Sequence, residues 1–162
     1  MAGVAALRTA LVTALGDVPN IGDVYDYERY VTKVEQADEL FKNQIGSVEM
    51  IQFADVALIG LGYTLSSLST ATTWRYDAAT TFRVRVFRTL NDGDASGRAF
   101  ATLVEDALQA VVTMMADLTP RLARINAQVT TVEHRLFHYP GQGGVLSHYG
   151  EIVVSAPDQV VL

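Results

Sequence analysis

All three histidines of this chain, His134, His138 and His148, fall in one C-terminal stretch. Two strand-like segments, Val129 to Phe137 and Val145 to Ser155, flank Pro140-Gly141-Gln142-Gly143-Gly144, a composition that predicts a hairpin turn. Pairing Tyr139 with Val145 sets His148 opposite Leu136 and diagonal to His134 and His138 on one face, at about 7–8 Å between backbone positions. Imidazoles grouped in this way are metal donors. However, no carboxylate falls into place as a fourth ligand, and a slip by one residue moves His148 to the opposite face. Hairpin surface or subunit contact is the preferred expectation.

A second group of chemically capable residues lies in Thr81-Phe82-Arg83-Val84-Arg85-Val86-Phe87-Arg88-Thr89-Leu90. Strand periodicity puts Phe82, Val84 and Val86 on one face and Arg83 and Arg85 on the other. Arg75, Arg83, Arg85 and Arg88, with Trp74 and Tyr76 as stacking groups, would suit a nucleic-acid patch. The net charge of −6 opposes that use, because gripping phosphates needs a basic surface. Carboxylates of a neighbouring subunit are the preferred partners, with a merely solvated sheet face as the alternative.

Other signals are weaker. Asn91-Asp92-Gly93-Asp94 has the look of half a calcium loop, yet the downstream ligands are missing, and a reversal followed by a helix cap explains it better. Gly141-Gln142-Gly143-Gly144 lacks the lysine and helix of a phosphate loop, and no serine sits in a nucleophile elbow. Tyr25 and Tyr27, interleaved with Asp26, Glu28 and Arg29, fit a pocket wall less well than a face packed on a sheet. No catalytic constellation emerges, and no cofactor is expected.

The elements that position these residues follow from apolar spacing. Val4, Leu7, Leu11 and Leu15 mark an N-terminal amphipathic helix, stopped by Gly16 and Pro19. Val24 to Glu28 reads as a short strand, and Thr32-Lys33-Val34-Glu35 as a capping box opening a brief helix with Val34, Ala37, Leu40 and Phe41 inward. Gly46 to Leu65 predicts two strands or one long bent strand, with Gly60 and Gly62 marking a bulge. Ser66 to Thr73 is small, polar and uncharged, which predicts a mobile loop or hairpin tip that orders against a partner. The principal core helix runs from about Ser96 to Ala116 and buries Phe100, Leu103, Val104, Ala107, Leu108, Val111, Met114 and Met115. Thr119-Pro120 restarts the chain in a short helix.

The 162 residues suit one domain spanning 1–162, of α+β class: an antiparallel sheet packed with two or three helices. With 49% hydrophobic and 19% charged residues, the chain is globular and has apolar surface to spare for an interface. It contains no cysteine, which excludes disulfides and thiolate chemistry. The N-terminal residues do not form a signal peptide, and no apolar run is expected to cross a bilayer, so a soluble protein without a membrane partner is the expectation.

Three segments carry a family resemblance: Val24-Tyr25-Asp26-Tyr27-Glu28-Arg29-Tyr30 with the helix ending Leu40-Phe41-Lys42, the central Phe82 to Phe87 before Asn91-Asp92, and Leu146-Ser147-His148-Tyr149-Gly150-Glu151-Ile152. Together they resemble the tail terminator and head-to-tail joining proteins of tailed bacteriophages and gene transfer agents. The resemblance implies a virion protein of the tail neck, assembled in the host cytoplasm, that closes into a homo-hexameric ring. Such a ring caps the tail tube protein, meets the head-tail connector or stopper protein, and lets DNA pass without specific binding. An acidic chain suits that channel, since a polyanion slides past like charge. A ring also needs two different patches on each subunit. The expected interface residues are Arg75, Arg83 and Arg85 against Asp26 and Glu28 in the Asp23 region, with Ser67 and Thr70 in the docking loop. The competing expectations are another neck protein, for head completion or as a stopper, and a small metal-binding enzyme built on the histidine hairpin.

Overall fold

The computed structural model describes residues 4–28, 42–45, 48–65, 70, 75–90, 94–117, 126–137 and 145–161. In chain order the elements are α1 (Val4–Gly16), β1 (Asp23–Tyr25), β2 (Lys42–Ile45), β3 (Val48–Leu65), β4 (Arg75–Thr89), α2 (Asp94–Asp117), β5 (Asn126–Phe137) and β6 (Val145–Val161). They build one α+β domain around a sheet ordered β1-β3-β4-β6-β5, with β2 paired to the start of β3. All pairings are antiparallel except β1 with β3. The predicted helices over 32–41 and after Thr119 lie outside the described residues, as do Ser67 and most of the predicted loop.

Both helices pack on one face of the sheet. Leu7, Leu11 and Leu15 of α1 repeat every fourth residue and are buried, as helical periodicity requires. Phe100, Leu103, Val104, Ala107 and Val111 of α2 join them over Ala54 and Val56 of β3, Phe82, Val84 and Val86 of β4, and Ile152 and Val154 of β6. Each large side chain in this layer contributes about 1.5–3 kcal/mol by leaving water. Contrary to the sequence expectation, α2 over Ser96–Asp117 is long and apolar enough to cross a membrane by length and composition. Its apolar stripe is spent on the sheet, and Glu105 and Asp106 on its other side are exposed.

Gly150 sets the depth of α2. A Cβ there would lie 2.6 Å from Val104 Cγ2 and 3.3 Å from Phe100 Cζ, so the absence of a side chain lets the helix settle onto β6. Past the helices the sheet continues. β3, β4 and β6 have 18, 15 and 17 residues, about three times the usual five or six. Their far ends run together as far as Leu65 opposite Tyr76 and Arg75 opposite Val161. The predicted bulge is present, as a register shift between Leu58 and Gly60. β2 and the extension of β6 beyond Ser155 are absent from the sequence expectation.

Candidate functional site

The sheet face turned away from the helices carries the charged residues. Alternation along β4 buries Phe82, Val84 and Val86 under the helices and turns Arg83 and Arg85 to this second face, as the sequence predicts. Register then brings acids to them. Asp55 of β3 stands opposite Arg85, and Glu151 of β6 stands opposite Arg85 on the other side. Arg85 Nε donates to Asp55 Oδ1 at 2.9 Å and its Nη2 to Oδ2 at 2.5 Å, a two-pronged ion pair in which the carboxylate is fully buried. Glu28, in the chain just after β1, reaches across and pairs with both Arg83, at 3.1 Å, and Arg85.

The arginine face and the Glu28 region, expected to pair between subunits, therefore meet inside one chain. Arg85 is engaged by two carboxylates of its own chain. Of the other expected interface residues, Asp26 and Thr70 are exposed, and Arg75 is placed on β4 opposite Val161. Ser67 lies outside the described residues.

Next to the ion pairs runs an aromatic row. Phe53, Phe87 and Tyr149 stand side by side on β3, β4 and β6. Phe53 stacks on Phe87 with centroids 4.8 Å apart, Phe87 meets Tyr149 edge-on at 5.1 Å, and Tyr25 closes the row edge-on to Phe53 at 6.2 Å. Tyr25 therefore packs on the sheet, as expected, while Tyr27 is exposed. The guanidinium of Arg135, which pairs with Glu133, lies 3.8 Å from the centre of the Tyr149 ring. The Tyr149 hydroxyl donates to Glu151 Oε2 at 2.6 Å, and Thr130 donates to Oε1 at 3.0 Å.

These contacts shift the titrations. Burial pushes the Asp55 carboxyl up, and the hydrogen bonds and charge of Arg85 offset this only in part. Burial, together with the bond to Glu151, pushes the Tyr149 hydroxyl up to about 12. Burial would push Glu151 up too, but the bonds from Tyr149 and Thr130 outweigh it and hold this carboxyl low. With its pKa so high, the Tyr149 hydroxyl keeps its proton at neutral pH and acts as a donor. Together these contacts tie β1, β3, β4, β6 and β5 and the segment just after β1 across one face of the sheet.

The histidine hairpin closes in a different register from the expected one. Phe137 pairs with Val145, so His148 stands directly opposite His134 rather than opposite Leu136. The shift is by two residues, which keeps both histidines on the helix face. Their rings lie 4.8 Å apart. His148 is buried, stacks on Phe100 at 5.1 Å, and its Nε2 is 3.2 Å from Ser96 Oγ. Burial first, then the proximity of His134 and Arg88, lowers its pKa. Among the described residues no group of three or more His, Asp or Glu could hold a metal ion, and His138 lies outside them. A shallow groove of about 540 Å³ also separates α1 from α2, walled by Ala10, Ala14, Ala110 and Met114 with Asp17 and Asp117 at its rim.

The sequence reading missed Asp55, Tyr149 and Glu151 as members of this face. A usable signal was present for Asp55, the single acid in the run Met50 to Leu65. A carboxylate inside an apolar strand demands a cation from the strand beside it.

No known family model matches the chain, and no curated protein matches it significantly.

Proposed function

We propose that the protein is a structural subunit of a phage-like tail, which assembles into a ring at the end of the tail tube and joins it to the head connector while DNA passes through. The observation that carries this reading is the sheet extension. β3, β4 and β6 run on beyond the helices that cover the core, and there the sheet leaves Ile59, Leu61 and Tyr63 exposed. Large apolar side chains held out on ordered strands mark a surface for another protein. The resemblance of the three sequence segments to tail terminators, the single α+β domain and the net charge of −6 support the same reading.

The charged face supports it differently from what the sequence suggests. Glu28, Asp55, Arg83 and Arg85 neutralise one another within the subunit, so subunit contacts fall to the apolar edges of the sheet rather than to the arginines. The test is complementation. Particles lacking this protein are supplied with the purified chain, and their tails are inspected by electron microscopy. Tubes of uniform length joined to heads are the expected outcome, and tails that stay unjoined and irregular in length contradict the assignment. Joining restored to tubes that are already uniform in length would place the chain elsewhere in the neck.

A further inference from the structure

Sheet edges are normally guarded by charges, prolines or a covering element, because an open row of N–H and C=O groups recruits another strand. Among the described residues two edges are unguarded. β1 pairs with β3 only at Phe53 to Asp55 and β2 only at Val48 to Ile51, so among the described residues nothing pairs with the outer side of β3 from Ala57 to Leu65. That stretch, Ala-Leu-Ile-Gly-Leu-Gly-Tyr-Thr-Leu, contains no charge and no proline. At the opposite border of the sheet β5 pairs, among the described residues, with β6 alone, and its first seven residues, Asn126 to Val132, are likewise free of charge and proline.

The two edges match in three ways. First, β3 and β6 both run antiparallel to β4, and β5 runs antiparallel to β6, so β5 is antiparallel to β3. Copies related by rotation about an axis along the strands keep these directions, which brings β3 of one copy antiparallel to β5 of the next. Second, the exposed apolar residues share a face. Leu61 stands opposite Thr80, on the side of Phe82 and Val84, while Val129 and Val132 stand opposite Ile152 and Gly150, which face the helices. Leu61 and Tyr63 are 49% and 60% exposed, and Val129 and Val132 are 37% and 55% exposed. Rotation keeps the helix face on one side, so these residues would form a continuous apolar row across the join. Third, β1 occupies the lower part of the β3 edge, so an arriving strand must sit toward Tyr63, the stagger that a closed sheet of tilted strands requires. A twofold pairing of β3 with β3, or of β5 with β5, leaves the other edge open.

We propose that Ala57–Leu65 on β3 of one subunit pairs antiparallel with Asn126–Val132 on β5 of a second copy, joining their sheets edge to edge. This deepens the ring reading above and rests on it for closure of the array. The absence of cysteine makes the test direct, since any introduced thiol is unique. Leu61→Cys and Val129→Cys are made singly and together and treated with a thiol-to-thiol linker shorter than the three strand spacings of about 4.8 Å that separate the two positions within one chain. The double variant is expected to give a ladder of covalent multimers, and the mixed single variants only dimers. Self-crosslinking of Leu61→Cys alone would overturn the proposal in favour of a twofold contact. Rings seen by light scattering without any crosslink would overturn it and leave the ring standing, whereas a monomer even in the presence of tail tubes would overturn both. As a second arm, Tyr63→Lys with Val132→Lys is expected to abolish assembly with the circular dichroism spectrum of the folded subunit retained. Assembly that survives these lysines contradicts the proposal.

Discussion

Arg85 is the residue on which the charged face depends. Its guanidinium holds a fully buried Asp55 and an intermediate Glu28, while Arg83 shares only Glu28 and is itself partly exposed. Removing one partner of a buried pair strands the other's charge, which costs about 3–5 kcal/mol, whereas a partly exposed pair contributes about 0–1 kcal/mol. Arg85→Met should therefore lower the urea unfolding free energy severely and Arg83→Ala only slightly. Equal effects of the two would contradict the network. His148 is expected to carry a pH dependence. Its folded pKa lies below the ordinary 6.5, so the unfolded chain binds more protons between the two values and stability falls as pH drops through that window. Thermal unfolding at pH 7.5 and pH 5.5 should show a smaller acid loss in His148→Gln than in the parent chain. An unchanged difference would mean that His148 does not report on folding.

At the scale of elements, the packing of α2 on β6 makes a sharper prediction. Gly150→Ala forces a methyl against Val104 and Phe100, and overpacking of this kind costs about 1–3 kcal/mol. Adding Val104→Ala should recover part of that loss in the same melt, and a double variant no better than Gly150→Ala would show that the helix does not rest there. Most elements were legible in the sequence because their signals are local. The leucines of α1, the stripe of α2 and the alternation of Phe82 to Val86 each specify an element without reference to any other. The end of β1 at Tyr25 and the extension of β6 to Val161 depend on pairing with distant strands, which no local pattern reports, while β2 pairs with the adjoining start of β3 where the sequence suggests the end of a helix. The histidine hairpin shows the same limit: its strands were expected, but the register that sets His134 opposite His148 comes from where the turn closes. The arginine face was legible as a face. Its partners were not, because Asp55 and Glu28 reach Arg85 only once β3 and the post-β1 chain are in place.

For the whole molecule, the consequence is a domain whose arginine face is engaged within the chain and whose two sheet borders are unpaired among the described residues. Closed rings need two unlike surfaces on each copy, and in the proposed assembly the two sheet borders, unpaired among the described residues, fill that role. In the proposed ring, the net charge of −6 suits the wall of a channel that passes DNA without retaining it. Charge reversal at Arg83 and Arg85, which would probe a subunit boundary if they lay on one, is expected here to unfold the subunit. Loss of assembly with a native-like melt would instead return the arginines to the interface. Electron microscopy of the purified protein mixed with tail tubes tests the proposed ring most directly. Rotationally symmetric rings, sixfold by the family resemblance, seated at one end of each tube are the expected result. A protein that stays monomeric and leaves the tube ends bare would contradict it.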